Sequence, residues 1–353
     1  MKVLHVISSI DPNSGGPTRS VKGLCRALSQ NGVAVTVLIL HGNDVFDNPC
    51  GVETLYGTMP EVKNYDVVHL HGLWDPALHK VAKACRKASV RYVISPRGML
   101  DPWALSVKSW KKRIAMALYQ RGDLRSAAAF HVTAALEEMS VRRQGLKQTV
   151  IIAPNGVDIP DLMPPRKVSD GTKTALFLSR LHPGKGLLSL AEAWSRIRPK
   201  GWRMKVVGPD GYGHKKDVVA CLREKGILDE WEFVDTLDDV QKWEAYRSAD
   251  LLVHPSVSEN FGITIAEGLA AELPVICTKG TPWGVVEERK CGWWIDVGVE
   301  PLTVALEEAM SLPDLKRREM GGRGLKLIEE SYTWNAIVTK VVAGYEEVLN
   351  EGA

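Results

Sequence analysis

The sequence has little of what marks a disulfide-bonded, zinc-binding or membrane-spanning protein. Its six cysteines among 353 residues include no Cys-x-x-Cys pair and no cluster with histidine at metal-ligand spacing. We therefore expect reduced, mostly buried thiols, as in a cytosolic protein. No apolar run is long enough to span a bilayer, and the apolar N-terminal segment is too short for a signal peptide, so we expect it to start a strand.

Neither sign of charge predominates in the sequence. The net charge is +3 and the isoelectric point is near 8.4, which is too weakly basic to indicate nucleic-acid binding by itself. What is present is an ordinary globular composition, with 45% hydrophobic and 25% charged residues. A chain of 353 residues exceeds a single typical core and predicts two domains.

Apolar strand-like runs alternate with helical patterns through both halves of the chain. This order predicts an α/β fold with parallel, doubly wound sheets. A proline-rich passage marks the expected boundary, with residues 1–165 in the first domain and residues 166–332 in the second. The predicted strands include Lys2–Ile7, Val33–Leu40, Asp66–Leu70, Arg91–Ser95 and Phe130–Thr133 in the first half, and Thr174–Leu178 and Trp231–Val234 in the second. A helix is predicted around Pro76–Ala88 in the first half.

A glycine-rich loop follows the first predicted strand. It contains Gly15 and Gly16 and leads into a helix predicted from Thr18 to Gln30. A strand, a glycine loop and a helix in succession bring backbone N–H groups close to a phosphate. The loop lacks the Gly-x-Gly-x-x-Gly spacing of dinucleotide sites, so the residues alone leave open a phosphate loop and a plain tight turn.

A second strand-to-helix turn carries two acidic residues. The apolar run Asp250–Val253 leads through Gly262 into an amphipathic helix that contains Glu267. Glu259 precedes that helix, where it either caps the helix or faces a ligand. Glu267 lies amid apolar residues, so it needs a partner if it is buried, and ligand hydroxyls would supply one.

The frame around these two residues, Pro-Ser-x-x-Glu-x-Phe-Gly followed by Glu267, resembles the signature of retaining glycosyltransferases of family four. Members of that family have the GT-B architecture, in which two Rossmann-like domains face a central cleft. The resemblance implies that Glu259 orients the donor sugar and that Glu267 binds the nucleotide ribose. It also implies donor contacts from the turn between them, at Asn260, Phe261, Gly262 and Ile263, and from the first loop, at Gly15 and Gly16.

The segment from Ser179 to Gly186 resembles the family's Gly-Arg-Leu-x-x-x-Lys-Gly motif, with Ser179 in place of the first glycine. The resemblance implies that Arg180 and Lys185 hold the donor diphosphate. Two fixed cations stabilise the charge that develops on the leaving oxygens as the sugar–phosphate bond breaks. No Asp-x-Asp occurs in the chain, which fits a metal-independent, cofactor-free reaction with Arg180, Lys185 and Glu259 as its catalytic residues.

Three residues of the first half, His71, Trp74 and Arg97, are expected near the carboxyl ends of strands, where a ligand cleft forms. His69 lies inside its strand and is interpreted as a core histidine. Arg97 stands where many family members carry a histidine that contacts the donor sugar. An arginine cannot act as a base, but it binds phosphate or an acidic sugar in bidentate fashion, or it anchors its own loop.

Lysines and arginines cluster with tryptophans between Trp103 and Arg121 and are followed by apolar residues. The segment either lies on an anionic membrane surface or turns its apolar side onto the protein core. The resemblance keeps the membrane interpretation open because the family often acts on lipid-linked acceptors.

The resemblance predicts transfer of a sugar from a UDP- or GDP-sugar to a hydroxyl of a glycan or lipid-linked acceptor. It suggests the branch of the family that builds bacterial surface polysaccharides, at the cytoplasmic face of the membrane. Specificity depends on pocket shape, so the nucleobase, sugar and acceptor stay open. The alternatives are a GT-B epimerase or hydrolase and a non-catalytic, nucleotide-sugar-binding partner subunit. As in GT-B proteins, the C-terminal helix within residues 333–353 is expected to complete the first domain.

Overall fold

The computed structural model describes residues 1–10, 16–42, 51–166 and 171–350. The chain divides into two compact units, one made of residues 1–158 with residues 333–353, and the other of residues 159–332. Each unit is built around one parallel sheet. The predicted α/β class with doubly wound parallel sheets is therefore confirmed.

The first unit alternates strands with helices along the chain. Its strands are β1 (Lys2–Ile7), β2 (Ala34–Ile39), β3 (Glu53–Tyr56), β4 (Val67–His71), β5 (Arg91–Ser95), β6 (Ala129–Val132) and β7 (Thr149–Ile152). Its helices before the second unit are α1 (Gly16–Gln30), α2 (Pro76–Ala88), α3 (Pro102–Ser106), α4 (Ser109–Ala115), α5 (Arg121–Ser126) and α6 (Ala135–Arg143), with a π-helical turn at Met116–Gln120.

The first sheet has the order β3-β2-β1-β4-β5-β6-β7, and its neighbouring strands pair in parallel. The direction of the order reverses between β1 and β4. In open α/β sheets, ligands bind beyond the carboxyl ends of strands at such a switch point. The carboxyl ends of β1, β4 and β5 are therefore the part of this unit where a ligand site is expected.

The second unit has the same alternation. Its strands are β8 (Lys173–Leu178), β9 (Trp202–Val207), β10 (Trp231–Val234), β11 (Leu251–His254), β12 (Val275–Thr278) and β13 (Gly292–Ile295). Its helices are α7 (Leu187–Ile197), α8 (His214–Glu224), α9 (Asp239–Arg247), α10 (Ile263–Ala270), α11 (Val285–Glu288), α12 (Val299–Ser311) and α13 (Asp314–Ser331). The chain then returns to the first unit as α14 (Trp334–Asn350).

Both faces of the first sheet are covered. One face, which includes Val3 and Val67, packs with α1 and with buried residues of α14 such as Val341 and Tyr345. The opposite face, which includes Leu4, packs with α2 and α5. The C-terminal helix is therefore part of the first unit's core, and its burial removes apolar surface from water on both partners.

The second sheet has the order β10-β9-β8-β11-β12-β13, again in parallel. Its core contains Phe177 of β8 and Val253 of β11 packed with Trp194 of α7. Strands β8 and β11 are direct neighbours, so the loops that leave their carboxyl ends start side by side. Among the described residues, none of the helices has both the length and the apolar character needed to cross a bilayer.

Candidate active site at the carboxyl ends of strands β8 and β11

The loops that follow β8 and β11 are joined through the backbone of Gly184. Its carbonyl oxygen accepts a hydrogen bond from Val257 N at 2.9 Å and another from Ser256 Oγ at 3.1 Å. Gly186 has a φ of +77°, and a Cβ built there would lie 2.1 Å from the carbonyl oxygen of Pro255. Only glycine fits this contact. The glycines flanking Lys185 thus set the β8 loop against the β11 loop.

Glu259 lies at the centre of this junction. The ammonium of Lys185 and the His254 Nε2, which lies at 2.8 Å, both donate to Glu259 Oε1. Burial by itself would raise the pKa of Glu259, but the His254 hydrogen bond, together with the Lys185 charge, lowers that pKa to about 2. Glu259 is therefore a carboxylate at neutral pH. Its second oxygen, Oε2, accepts no hydrogen bond from any residue in the described ranges and is left for a ligand.

The turn after Glu259 leads into helix α10 through Gly262, whose φ of +79° is a left-handed conformation. The helix has no side-chain cap, so its first backbone N–H groups are available to an anion. The indole of Trp283, which is fully buried, donates to the carbonyl oxygen of Phe261 at 2.6 Å and anchors the turn to the core of the second unit. The sequence motif Asn260–Ile263 therefore forms an uncapped helix start beside Glu259.

Glu267 is buried one turn further along α10, as its apolar surroundings predict. Its Oε1 accepts from the ammonium of Lys242 at 2.7 Å and its Oε2 accepts from the hydroxyl of Tyr246 at 2.9 Å. The protein itself thus supplies partners, and both come from α9. Each carboxylate oxygen can accept a second hydrogen bond, so the pair with Lys242 and Tyr246 leaves capacity for ligand hydroxyls.

Arg180 follows the end of β8 and is exposed. It forms no ion pair with any residue that the structure describes, in contrast to Lys185. Both cations act on the neighbouring His182. Partial burial lowers the pKa of this histidine, and the positive charges of Lys185 and Arg180 lower it further. This edge of the second unit therefore carries a locally positive field with one guanidinium that has no anionic partner of its own.

The structure thus brings Lys185 and Glu259 into direct contact and places Arg180 and Glu267 on adjoining elements of the same sheet edge. Of the first loop, Gly16 begins α1, whereas Gly15 lies outside the described residues. Sequence reasoning did not identify His254, Lys242 or Tyr246. His254 could have been suspected, because it immediately follows the apolar run of β11 and ends it.

In the first unit, Arg97 follows β5 with a φ of +55°. One of its Nη atoms donates to Asn155 Oδ1 at 3.0 Å and the other to His71 Nδ1 at 3.1 Å. His71 ends β4 and is buried, and its Nε2 lies 2.9 Å from Nδ1 of His5 on β1. Both nitrogens of His71 are engaged, so it supports Arg97 and presents no free nitrogen to a cleft.

Four further buried side chains form a second chain of hydrogen bonds, and the ring of one of them, His69, stacks on His71 with the ring centroids 4.2 Å apart. The Nε2 of His131 lies 2.9 Å from the carbonyl oxygen of Ala153, and its Nδ1 lies 3.1 Å from Ser95 Oγ. Ser95 in turn lies 2.7 Å from His69 Nε2, and His69 Nδ1 lies 2.6 Å from the Tyr345 hydroxyl. A carbonyl only accepts, so the pattern assigns every proton: Tyr345 donates to His69, His69 to Ser95, Ser95 to His131, and His131 to Ala153.

Burial keeps all four imidazoles neutral. It lowers the pKa of His5 and of His131 to about 3, and the positive charge of Arg97 adds to the effect in both. Burial likewise lowers the pKa of His69 and His71 well below the ordinary value, with Arg97 contributing. The expected core role of His69 thus extends to the whole cluster.

Nitrogens of His5, His69 and His71 lie within 4.8 Å of one another, which is the arrangement of a possible metal site. Five of these six nitrogens already have hydrogen-bond partners, and only His5 Nε2 lacks one among the described residues. The adjacent guanidinium of Arg97 repels a cation. Hydrogen bonding therefore accounts for this cluster better than metal coordination does.

Trp74 lies close after β4 with a φ of +72°. Its backbone is held by Gln120 Oε1, which accepts from Trp74 N at 2.8 Å, and by the Tyr119 hydroxyl, which donates to Trp74 O at 2.6 Å. The buried indole Nε1 has no partner within the described ranges. The left-handed backbone and the unpartnered N–H make Trp74 a strained position beside the switch point.

The basic, tryptophan-rich segment is divided between the core and the surface. Helices α3 and α4 bury none of their residues, whereas Met116 in the π-helical turn that follows packs against the core of the first unit. Exposed fractions are 62% for Trp103, 62% for Trp110 and 76% for Leu118. We call the exposed apolar stripe on this segment the tryptophan stripe; it consists of Trp103, Val107, Trp110, Ile114 and Leu118.

Two family sequence models match the chain. The one described as "Glycosyl transferases group 1" matches residues 158–327, and the one described as "Glycosyl transferase 4-like domain" matches residues 48–156. The first contains the Glu259 and Lys185 motifs of the second unit, and the second contains Arg97 and the tryptophan stripe.

Curated relatives include the D-inositol 3-phosphate glycosyltransferase of Segniliparus rotundus, 29% identical over 231 residues, which are 58% of this chain and 49% of that protein. The chain therefore spans about half the length of that relative. The GDP-mannose:cellobiosyl-diphosphopolyprenol alpha-mannosyltransferase of Xanthomonas oryzae is 23% identical over 384 residues, with 99% of this chain and 97% of that protein covered.

Among solved structures, the Anabaena protein HepE in complex with UDP and glucose has a TM-score of 0.78 at 17% identity, covering 98% of this chain and 100% of that one. A likeness at this identity shows the fold. Together, the matched family models, the structural likeness and the motifs carried by β8 and β11 show that the chain belongs to the group 1 glycosyl transferases, of the family-four type with the GT-B fold.

Proposed function

We propose that the protein is a retaining glycosyltransferase that moves a sugar from a nucleotide-diphosphate donor to a hydroxyl of a glycan or lipid-linked acceptor. The observation that carries this proposal is the junction of Lys185, Glu259 and His254 beside an uncapped helix start and a guanidinium, Arg180, without an anionic partner in the described chain. Cations and N–H groups collected at one sheet edge are suited to a diphosphate.

In the proposed reaction, the bond between the anomeric carbon and the diphosphate oxygen breaks as the acceptor oxygen bonds to the same face of that carbon. The departing phosphate oxygen takes the acceptor's proton, so atoms and charge balance without a separate protein base. Arg180, Lys185 and the first N–H groups of α10 stabilise the negative charge that develops on the leaving group. Glu259 Oε2 orients the sugar. We propose that these groups act without a metal ion.

The nucleotide of the donor is proposed from the names of similar proteins. HepE was solved with UDP and glucose, and the Xanthomonas relative is named for GDP-mannose and a diphosphopolyprenol acceptor. We therefore expect a UDP- or GDP-sugar donor and an acceptor used in surface polysaccharide synthesis. A thermal-shift panel of UDP-, GDP- and ADP-sugars tests this, because a ligand that binds the folded state raises Tm.

The same donor then tests the class of reaction. Incubated with donor alone, the protein should release free or epimerised sugar more slowly than it transfers sugar to an acceptor. The product's anomeric configuration, read by NMR, should match the donor's. Faster release than transfer would indicate a hydrolase or epimerase, and an inverted product would exclude retention.

We expect Glu267→Gln to weaken binding of the donor nucleotide about tenfold or more, because the amide keeps one acceptor oxygen but loses the charge and the second acceptor that the ribose hydroxyls would use. Calorimetric titration with UDP and GDP measures the affinity. The structure supplies a matched control, since Lys242→Met breaks the same buried ion pair and keeps the carboxylate. If both variants lose affinity equally, Glu267 acts through the packing of α9 on α10 and the ribose role is wrong.

We further propose that the first unit contacts the inner face of an anionic membrane through the tryptophan stripe. Lys108, Lys111 and Arg113 are exposed on the same segment, and the Lys111 ammonium lies 5.4 Å from the ring centroid of Trp110. Tryptophan is enriched at membrane interfaces, and each basic residue near an anionic surface contributes about 1 kcal/mol. The apolar side chains of this exposed segment suit the interior side of the membrane interface, and its cationic side chains suit the anionic lipid headgroups.

A double variant, Trp110→Ser with Leu118→Ser, should lower partitioning to phosphatidylglycerol vesicles about tenfold or more. Co-sedimentation with these vesicles, and with phosphatidylcholine vesicles for comparison, measures the effect. The control is Leu315→Ser, which removes an exposed apolar side chain from the second unit. Equal binding to both lipids, or no difference between the double variant and the control, would contradict the proposal.

A further inference from the structure

We propose that the carboxyl edge of the first unit's sheet binds an oxyanion of the acceptor through Arg97. The shared chemistry is a planar or tetrahedral group of oxygens, supplied either by the carboxylate of an acidic sugar or by a phosphate. This inference deepens the proposed function by naming a charged group that the acceptor carries. It depends on contacts within the first unit and on none of the residues of the donor site.

Among the described residues, Arg97 donates hydrogen bonds to neutral partners only. They are the amide oxygen of Asn155 at 3.0 Å and the imidazole nitrogen of His71 at 3.1 Å. The Nε–H of Arg97 is buried and has no partner in the part of the chain that the structure describes. A guanidinium has five N–H donors and always carries its charge, so this one has donors and charge to offer.

Glu137 is the acidic side chain whose charge acts on Arg97, and it does not neutralise that charge by direct pairing. Glu137 influences Arg97 electrostatically, but it forms no ion pair with it among the described residues. Its Oε1 accepts from Gly98 N at 2.7 Å, and its Oε2 accepts from Thr133 N at 2.8 Å and from Thr133 Oγ1 at 3.0 Å. The carboxylate of Glu137 thus accepts from backbone and hydroxyl groups, and no acidic side chain among the described residues forms an ion pair with Arg97.

The histidine network fixes the orientation of the guanidinium. Arg97 donates to His71 Nδ1, so the single proton of neutral His71 is on Nε2 and is donated to His5 Nδ1. The proton of His5 must then lie on its Nε2, which is buried without a partner in the described ranges. This chain of hydrogen bonds therefore ends in a second donor without a partner among the described residues, His5 Nε2, in addition to Arg97 Nε.

The position of Arg97 also suits a ligand. It follows β5 near the switch point between β1 and β4, where ligands bind in open α/β sheets. The residue is partly exposed, while His71 and His5 behind it are buried. The Nε of Arg97 is buried, so a ligand would meet the two Nη groups, which the contacts to Asn155 and His71 hold in place for bidentate binding.

The simpler interpretation is that Arg97 only anchors its own loop. A loop anchor normally donates to backbone carbonyl groups, as Arg142 does to Leu146 O and Gln148 O in the same unit. Arg97 donates to no carbonyl among the described residues.

The test is calorimetric titration of the full chain with inorganic phosphate, D-glucuronate and neutral D-glucose, at constant ionic strength. We expect wild-type protein and Lys185→Ala to bind at least one of the two anions and to bind glucose more weakly. Arg97→Gln made in the Lys185→Ala background should weaken anion binding about tenfold or more. Tighter binding of phosphate than of glucuronate would identify a phosphorylated acceptor, and the reverse order an acidic sugar.

Two variants keep the test decisive. Arg143→Gln removes an exposed charge from the same unit and should leave binding unchanged. Arg97→Lys keeps the positive charge but loses the bidentate geometry of the guanidinium, so it should bind the anions with intermediate affinity. It replaces Arg97→Gln in the test if that variant does not fold. Anion binding that is unaffected by either Arg97 variant, or glucose binding as tight as that of the anions, overturns the inference. Because no donor is present, this failure is distinct from a failure of sugar transfer.

Discussion

Replacing Lys185 with alanine should lower kcat/KM for sugar transfer about 10²–10³-fold, which corresponds to about 3–4 kcal/mol of lost transition-state stabilisation. The ammonium of Lys185 is held against Glu259 Oε1 by loops that Gly184 and Gly186 lock together. Its position is thus fixed before charge develops on the leaving phosphate, which is the condition for a large electrostatic effect. Initial-rate measurements with the nucleotide sugar identified by thermal shift give kcat and KM separately.

The effect should fall mainly on kcat, because the charge on the leaving oxygen is greater in the transition state than in the bound donor. Lys216→Ala is the matched control, since Lys216 is an exposed lysine of the same unit. Lys185→Arg should restore part of the rate if charge is what matters. Near-normal turnover of Lys185→Ala, with Tm unchanged, would remove the main catalytic assignment.

The regular elements could be predicted because local signals and the global fold agree. Helix α2 was predicted at Pro76–Ala88 and is found there, since Asp75 accepts from Ala77 N at 2.8 Å and a proline takes the first turn. Strand β5 at Arg91–Ser95 also agrees with its prediction, because an apolar run bounded by a proline has little freedom to shift. Strand β3, with half-buried polar residues, has no such pattern and was not predicted.

The motifs that we propose to bind the donor could be found in the sequence because each lies in one short loop that contains both its glycines and its charged residues. The network around Arg97 was not found, because its members come from different strands. His5 pairs with His69 in the register of β1 and β4, and His71 pairs with Ser95 in the register of β4 and β5. Only the strand order and register place them on one face, and neither can be read from the spacing of histidines along the chain.

The partners of Glu267 were missed for a related reason. The apolar sequence around it predicts burial correctly, but Lys242 and Tyr246 lie on another helix and are separated from it by β11. The division of the tryptophan-rich segment between exposed side chains and Met116, which packs on the core, could not be predicted either. A periodic apolar pattern predicts that a helix has an apolar face, and only the surrounding structure decides whether that face meets the core or remains exposed.

Lowering the pH from 7.5 to 5 should destabilise the first unit by about 2 kcal/mol for each of His5 and His131, and further for His69 and His71. In the unfolded chain these groups have ordinary pKa values near 6.5, whereas burial in the folded state lowers the pKa of His5 and His131 to about 3. The unfolded state therefore binds more protons below pH 6.5. The stabilisation is complete above pH 6.5 and is lost progressively as the pH falls toward 3.

The loss of stability between pH 6.5 and 3 distinguishes the histidine cluster from the junction of Lys185, Glu259 and His254. Glu259 has a pKa lowered from 4.5 to about 2, so its contribution to stability is retained above pH 4.5 and is lost only below it. Urea unfolding at pH 7.5 and 5 measures the change, and hydrogen exchange assigns it to the first unit. His131→Asn should reduce the pH dependence, whereas His41→Gln, at an exposed histidine, should not. An unfolding free energy equal at both pH values would mean that the imidazoles take up protons in the folded state as readily as in the unfolded chain, and the proton assignment that orients Arg97 would fail with it.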